Sequence, residues 1–597
     1  MRSIPAAAVK IRRVVAVGGP VESNVNGWRK TLRLWPWLAA ITSGLLATGC
    51  FAPFDQAWLC WIALTPLIAA IWFSGENSRR RWLRNLLLGY VAGIVFLCGT
   101  FSWLSTLGTL FGNFALHGLP LLLALYLGLY FAFWGWFAGL IRPRERIAEA
   151  VTNKWDEMLA RAGKPAVTAP SSPWLSSIAN LRLASCLASA WVVQEWTRGW
   201  LSDFGWNGLG VALHANWPVI QIAEFTGVAG LSFVIAFANV IAVTTTRRLI
   251  LEARTHRMRP HYDLTLTMAA IVGLMAFGFH VAQSKPSTQS LRVAAVQPNI
   301  EQREKFDPQS TPKIFEQYAH LSEIALRTSP APELLIWPEG SMPYPVRDEN
   351  GESYRFVMDF MASAKTDLLL GTDDLEASRA FNSAMLVSGA DQRMQIYHKS
   401  RLVPFGEYIP LRHSFPLFAA VANRWVPGDF DAGQDCTVFE LSRADVRIAP
   451  LICFEDTIGE LTRQFVLKGA NVLINITNDG WFLHSSGSQQ HLANAIFRCV
   501  ETRRPMVRVA NTGVTCFVNE FGHVTQILQD ETGSTFTEGV LTGEVDVPVE
   551  PQFTFYVRHG ELFAQLCAGV TLLAIIVGFF VTKRSGGSSE LPARWSI

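Results

Sequence analysis

The stretch VRIAPLICFEDTIGELTRQFVLKGANVLINIT, residues 446–477, decides the fold of the polar half of this chain. Its first run, ending at Cys453, is oily and rich in β-branched side chains, as is its last, ANVLINIT, and both read as strands. Between them TIGELTRQFVLKG spaces its apolar residues as an amphipathic helix does. The same alternation holds from Leu291 onward. LRVAAVQ, ELLIWPE, DLLLGT, SAMLVSG, MQIYHK and PMVRVAN read as further strands, and TPKIFEQYAHLSEIALRT as a helix opened by Thr311 and Pro312. The polar half is therefore expected to be an α/β or layered sandwich domain, not an all-β one.

The other half is different in kind. The chain has 597 residues, half of them hydrophobic, with 21 tryptophans, which excludes a simple soluble enzyme. Eight apolar stretches, near residues 34–51, 57–74, 86–106, 119–141, 183–199, 219–244, 264–283 and 561–582, approach the ~20 residues that a bilayer core requires. Glu195 and Arg198 interrupt the fifth and would have to face protein, water or the interface. A net charge of +3 against 51 basic and 48 acidic residues gives no reason to expect nucleic-acid binding.

The basic residues fix an orientation, because short loops rich in Arg and Lys stay on the cytoplasmic side. Arg79, Arg80, Arg81 and Arg84 follow the second stretch; Arg142, Arg144, Arg146, Lys154, Arg161 and Lys164 the fourth; Arg247, Arg248, Arg254, Arg257 and Arg259 the sixth. FAPFDQ and TLGTLFGNFALHG, after the first and third, carry none. The expected organisation is a cytoplasmic segment 1–33, a membrane domain 34–283 with seven spans, an exported domain 284–560, an eighth span 561–582 and a cytoplasmic tail 583–597.

Within the exported domain three ionisable residues each follow the last apolar residues of a strand: Glu339 after LLIWP, Lys399 after MQIYH and Cys453 after APLI. In layered α/β folds the carboxyl ends of neighbouring strands converge on one edge where ligands bind, so the three can meet despite their separation in sequence. Each has a plainer reading, as a solvated acid, a surface lysine and a packed thiol. Cys453 precedes a helix start near Phe454–Thr457, whose free N–H groups are expected to lower a thiol pKa. Cys436, Cys499 and Cys516 also lie in this domain; their spacing shows no disulfide framework, though two bridges are arithmetically open. No tight Cys or His pair suggests zinc, and His398 and His491 read as structural or surface residues.

WPEGSMP, YHKSRLVPFGEYIPL, LICFED and NDGWFLHSSGSQQHLANAIFRCVETRRPMVRVANTG together resemble the nitrilase superfamily, with its Glu, Lys, Cys triad and αββα sandwich. With apolar spans on both sides, the chain resembles more narrowly the bacterial apolipoprotein N-acyltransferase family, and KSRLVPFGEYIPL is the most telling stretch. The resemblance implies Glu339 as general base, Lys399 as oxyanion partner and Cys453 as nucleophile. Glu407 matches a further functional glutamate, Glu455 an acid near the nucleophile, and Trp481 an aromatic at the rim. Phe454 stands where the family often has Tyr, leaving its backbone N–H as an oxyanion donor, and Gly340 where Thr is common.

The implied reaction moves an acyl chain from a phospholipid, typically phosphatidylethanolamine, through a Cys453 thioester to the α-amino group of the diacylglyceryl-cysteine at the N-terminus of an apolipoprotein. No cofactor is implied, and the expected setting is the bacterial inner membrane. Two-step transfer of this kind is ping-pong. Apolar loops shielding the thioester from water would draw on Tyr344, Trp425, Trp481 and Phe482. Two other readings fit parts of the sequence: a membrane-tethered amidase that gives the thioester to water, and a lipid-binding or transport protein without catalysis.

Overall fold

A computed structural model of the chain describes residues 22–75, 80–142, 173–202, 204–255, 258–283, 287–305, 307–409, 428–443, 445–550 and 552–584. Trp425 lies outside the described residues, as do Arg79, Arg144, Arg146, Lys154, Arg161, Lys164, Arg257 and most of the two terminal segments.

Five helices among the described residues are long and apolar enough to cross a membrane: Arg81–Thr100, Phe114–Leu140, Pro173–Ser202, Val228–Arg254 and Tyr262–Val281. Ala57–Phe73 and Leu562–Val577 are apolar but shorter. Several helices outrun the apolar stretches that announce them: Glu22–Gly49 starts before residue 34, Pro173–Ser202 before residue 183, and Val228–Thr255 runs past residue 244. Helical hydrogen bonding is indifferent to side-chain polarity, so an oily run locates only the lipid-compatible part of a helix. The sixth stretch breaks at Gly227, which has φ +62°, leaving short turns Trp217–Ile220 and Ala223–Thr226 ahead of the long helix. Glu195 and Arg198 both face the bundle interior. Glu195 accepts hydrogen bonds from Trp191 Nε1 and the Leu209 backbone N–H, both at 2.7 Å, and Arg198 is buried.

The polar domain is a two-sheet sandwich. One sheet has the order β12-β1-β2-β3-β4-β5: β1 Thr288–Gln297, β2 Leu334–Ile336, β3 Asp367–Glu376, β4 Arg379–Val387, β5 Met394–His398 and β12 Gly539–Pro548. The other runs β11-β10-β9-β8-β7-β6: β6 Phe439–Glu440, β7 Arg447–Ile452, β8 Val472–Thr477, β9 Met506–Ala510, β10 Cys516–Val518 and β11 Val524–Ile527. β1, β2 and β3 are parallel, as are β7, β8 and β9, and helices cross over between them as parallel pairing demands. Helices Thr311–Leu326 and Glu352–Ala364 cover the outer face of the first sheet, burying Tyr318, Leu321, Val357 and Met361 against Leu335 and Leu370. The facing sides of the two sheets share one core.

Helix Gly487–Thr502 joins this domain to the membrane part. Gln490 Oε1 accepts from Asn207 Nδ2 at 2.8 Å and Trp206 Nε1 at 3.2 Å, while its Nε2 donates to the carbonyls of Ala52 and Thr100. Asn494 Nδ2 donates to Asn207 Oδ1 at 3.0 Å. Buried amides satisfied across an interface fix its register more tightly than apolar contact alone.

Candidate active site

β2 and β3 run parallel, β4 is antiparallel to both neighbours, and so β5 runs with β2. Their carboxyl ends therefore share one edge. Beyond β2 the pairing with β3 continues, from Trp337 N–H to the Leu369 carbonyl and from Gly371 N–H to the Pro338 carbonyl, and this delivers Glu339 to that edge. Gly371 permits the close approach, since a Cβ there would stand 2.6 Å from the Glu339 Cα. Gly340, at φ +56°, takes a backbone conformation that a threonine there would adopt only with strain.

Lys399, just past β5, is buried between two carboxylates, with Nζ 2.8 Å from Glu407 Oε1 and 3.5 Å from Glu339 Oε1. Burial alone would lower its pKa, but Glu407 and Glu339 outweigh burial and hold it raised, so the ammonium stays charged. Asn382 on β4 completes the cradle: its Nδ2 stands 2.8 Å from Glu339 Oε1 and 2.8 Å from Glu407 Oε1. Glu407 Oε2 takes the Val403 N–H at 2.7 Å. Glu339 is thus anchored through one oxygen, while its other, Oε2, is buried without a hydrogen-bond partner.

Cys453 approaches from the second sheet, one residue past β7, with φ +52°. A non-glycine residue in that region costs on the order of 1 kcal/mol and turns the side chain out of line with its strand. Asn475 Nδ2 holds the Cys453 carbonyl at 3.0 Å. The thiol sits in the field of Glu339 and Lys399, with Thr477 near it. Its pKa is raised, by burial first and by Glu339 second, against the opposing pull of Lys399. The sequence expectation was the reverse. The helix start after Cys453 is only a five-residue 3₁₀ turn, Cys453–Thr457, and its few free N–H groups do not offset desolvation. The resting sulfur is therefore a neutral thiol. All nine cysteines are free.

Both oxygens of Glu455 are engaged by neighbouring donors. Its Oε1 accepts from Tyr397 Oη and Ser400 N–H, both at 2.8 Å, and from Arg401 N–H at 3.1 Å, while Oε2 accepts from Ile452 N–H at 3.0 Å. It ties the loop after Lys399 to the turn that carries Cys453. A Glu455→Gln protein puts an amide where several N–H groups donate, and is expected to lose about 2–3 kcal/mol of stability. A thermal-melt comparison in detergent checks this.

Behind the turn, Arg508 Nη1 reaches Asp456 at 2.5 Å and Asn475 Oδ1 at 2.9 Å, and Nη2 reaches Asp479 Oδ2 at 3.1 Å. His491 lies between Asp456 and Asp479 at 2.9 and 3.0 Å. Burial opposes its protonation, yet Asp456 prevails and its pKa is raised. This closed charge network fixes Asn475, and through it the Cys453 carbonyl.

An aromatic layer from the membrane part covers the site. Phe454 stacks nearly parallel to Phe204 and Trp206, with ring centroids 6.0 and 6.3 Å away, so the hydroxyl of a tyrosine would enter an apolar stack. Phe482 packs edge-on against Trp103 at 4.6 Å, and Trp481 lies 6.3 Å from Phe111. Tyr344 is 38 % exposed, and its backbone N–H donates to Ser353 Oγ. His398 bonds Asp374 and stacks on Phe381. Asn382, Thr477, Phe204 and Trp206 were not anticipated from sequence. Asn382 stands directly before the oily run SAMLVSG and lies inside β4, not at its end.

The paired sheets, and a buried glutamate and lysine facing a cysteine, define a protein of the carbon–nitrogen hydrolase class, and residues 292–551 match the family profile described as carbon-nitrogen hydrolase. Residues 43–241 match the apolipoprotein N-acyltransferase N-terminal domain. The chain is 32 % identical over 549 residues to the apolipoprotein N-acyltransferase of Geobacter metallireducens, covering 90 % of this chain and 95 % of that one. It is 30 % identical over 561 residues to that of Pseudomonas putida, covering 91 % and 97 %. Among solved structures, the carbon-nitrogen hydrolase of Helicobacter pylori G27 aligns at 18 % identity and TM-score 0.34, covering 46 % of this chain and 94 % of that one. The chain belongs to the apolipoprotein N-acyltransferase family.

Proposed function

We propose that this protein transfers a phospholipid acyl chain to the α-amino group of a diacylglyceryl-cysteine at a lipoprotein N-terminus, through a thioester on Cys453. The observation that carries the proposal is the buried, unpartnered Glu339 Oε2 in the field of a neutral Cys453 thiol and a charged Lys399. Glu339 takes the thiol proton as sulfur attacks the ester carbonyl. Lys399 Nζ and the Phe454 backbone N–H stabilise the oxyanion. Collapse breaks the acyl C–O bond, and the lysophospholipid alkoxide leaves with the proton from Glu339. In the second half the amine attacks the thioester, Glu339 takes its proton and returns it to the departing sulfur, and an amide remains. The two half-reactions share one site, so the kinetics are ping-pong.

The surroundings suit this chemistry better than hydrolysis. The Phe204, Trp206 and Phe454 stack excludes water, and Trp481 and Phe482 rim the side where acyl chains would enter. Tyr344 and Trp425 are further candidates for that rim. We also infer that Glu22–Gly49, Ala57–Phe73 and Leu562–Arg584 cross the bilayer, making eight spans. Both termini would then be cytoplasmic, with 284–560 exported as the catalytic domain. Arg80, Arg81, Arg84 and Arg142 support that orientation.

Purified protein given phosphatidylethanolamine and a diacylated lipopeptide is expected to yield triacylated lipopeptide, with an acyl-enzyme mass adduct when the peptide is withheld. Free fatty acid released rapidly without an amine would instead assign a hydrolase.

A further inference from the structure

Beside Glu339 lies a pair of opposite charges that the triad does not use. Lys305 ends the short helix Gln302–Lys305, and its Nζ donates to the Glu339 backbone carbonyl at 3.1 Å. The same turn is held from the membrane side, where Arg303 donates to the carbonyls of Leu110 and Thr109 at 2.9 and 3.3 Å. From the domain side, Asn478 Nδ2 donates to Gln302 Oε1 at 2.7 Å. Lys305 is therefore fixed between the general base and a loop of the membrane part.

Its counterpart is Asp373. Successive side chains of a strand point to opposite faces. Asp374 turns to His398 and Arg347, at 2.9 Å from each. Asp373 turns the other way, toward the site, because it pairs across the ladder with Asn382, whose amide touches Glu339 and Glu407. Asp373 is exposed on its open side, yet burial of its carboxyl, and Glu339 after it, push its pKa up to about 6 against the pull of Lys305, and it makes no hydrogen bond or ion pair among the described residues. Burial draws the Lys305 ammonium down to about 8 against the opposing pull of Glu339 and Asp373, so the two charges lie within each other's field.

We propose that Lys305 and Asp373 form the headgroup subsite of the acyl donor, Lys305 taking a phosphate oxygen and Asp373 the primary ammonium of an ethanolamine headgroup. The inference rests on the acyl-transfer reading above. When the ester carbonyl sits over Cys453, the glycerol backbone keeps the phosphate only a few bonds away, within the compass of a cation beside Glu339. An ammonium two carbons beyond the phosphate then meets a carboxylate that has no other partner. A glycerol headgroup supplies no cation and sets its phosphate against Asp373. The pair is thus complementary to a zwitterion and selects against an anionic lipid.

The test uses the full chain in mixed micelles with phosphatidylethanolamine or phosphatidylglycerol of the same acyl chains, reading the rate of adduct formation on Cys453 by intact mass. The unaltered protein is expected to favour phosphatidylethanolamine by about tenfold, the scale of one charge-assisted contact. Asp373→Asn, which keeps the shape, should bring the ratio near one, and Asp373→Lys should invert it. An unchanged ratio in both variants, or equal rates in the unaltered protein, overturns the subsite and leaves acyl transfer standing. No adduct from either lipid overturns the acyl-transfer reading, and the subsite with it.

Discussion

A Cys453→Ser protein is expected to form no acyl adduct from phospholipid and to lose transfer to a lipopeptide by on the order of 10⁴-fold or more. The hydroxyl occupies nearly the same space, so folding should survive and the loss should be chemical. Sulfur at this position already starts from a raised pKa, because burial and Glu339 both oppose a thiolate. In the proposed scheme Glu339 removes that proton only as the carbon–sulfur bond forms. A serine hydroxyl is a far weaker acid, and the same carboxylate cannot shift it. The remaining thiols provide an internal control. Cys499 and Cys516 are fully buried, the latter pushed up to about 12 by desolvation, and Cys436 hydrogen-bonds Gln464. Peptide mapping of the acylated protein should place the whole adduct on 453–456; an adduct that persists in Cys453→Ser at another thiol removes the nucleophile from the scheme.

The strands most plainly legible in the sequence are those buried on both faces. ANVLINIT and DLLLGT are continuous oily runs because β8 and β3 each lie inside a sheet with helices on one side and the other sheet on the other. β12 escaped because it lies at a sheet edge with one face exposed, so GVLTGEVDVP mixes Glu544 and Asp546 with its valines and reads as no clear strand. β6, β10 and β11 are too short to announce themselves. Glu339, Lys399 and Cys453 were legible for a different reason. Ionisable side chains directly after oily runs are conspicuous, and parallel topology brings such ends together.

Their support was less legible. Asn382 and Thr477 are polar residues of a type that turns also recruit, and only the folded register sets Asn382 against Glu339 and Thr477 near Cys453. Phe204 and Trp206 lie some 250 positions before Phe454 and meet it only because the two parts of the molecule dock. Motif reading carries no information about such contacts. The thiol's raised pKa was missed because a helix start was weighed without the burial around it.

Lys399 separates chemistry from stability. A Lys399→Met protein leaves the Glu339 and Glu407 carboxylates, 3.5 and 2.8 Å from the lost ammonium, without their shared cation. Breaking a buried pair in this way costs about 3–5 kcal/mol, and the thermal midpoint should fall accordingly. Acylation of Cys453 should fall by about 10²–10³-fold or more, the scale of one lost oxyanion donor. Taken alone, the loss of activity is ambiguous, since a loosened site is also a poor catalyst. The double variant Lys399→Met/Glu407→Gln resolves it. Removing the Glu407 charge relieves the repulsion between the two carboxylates, while Asn382 still holds Glu339. Much of the lost stability should therefore return, whereas acylation should stay low because no cation faces the developing oxyanion. If acylation returns along with stability, Lys399 is a structural counter-ion and the oxyanion is held by backbone N–H groups alone.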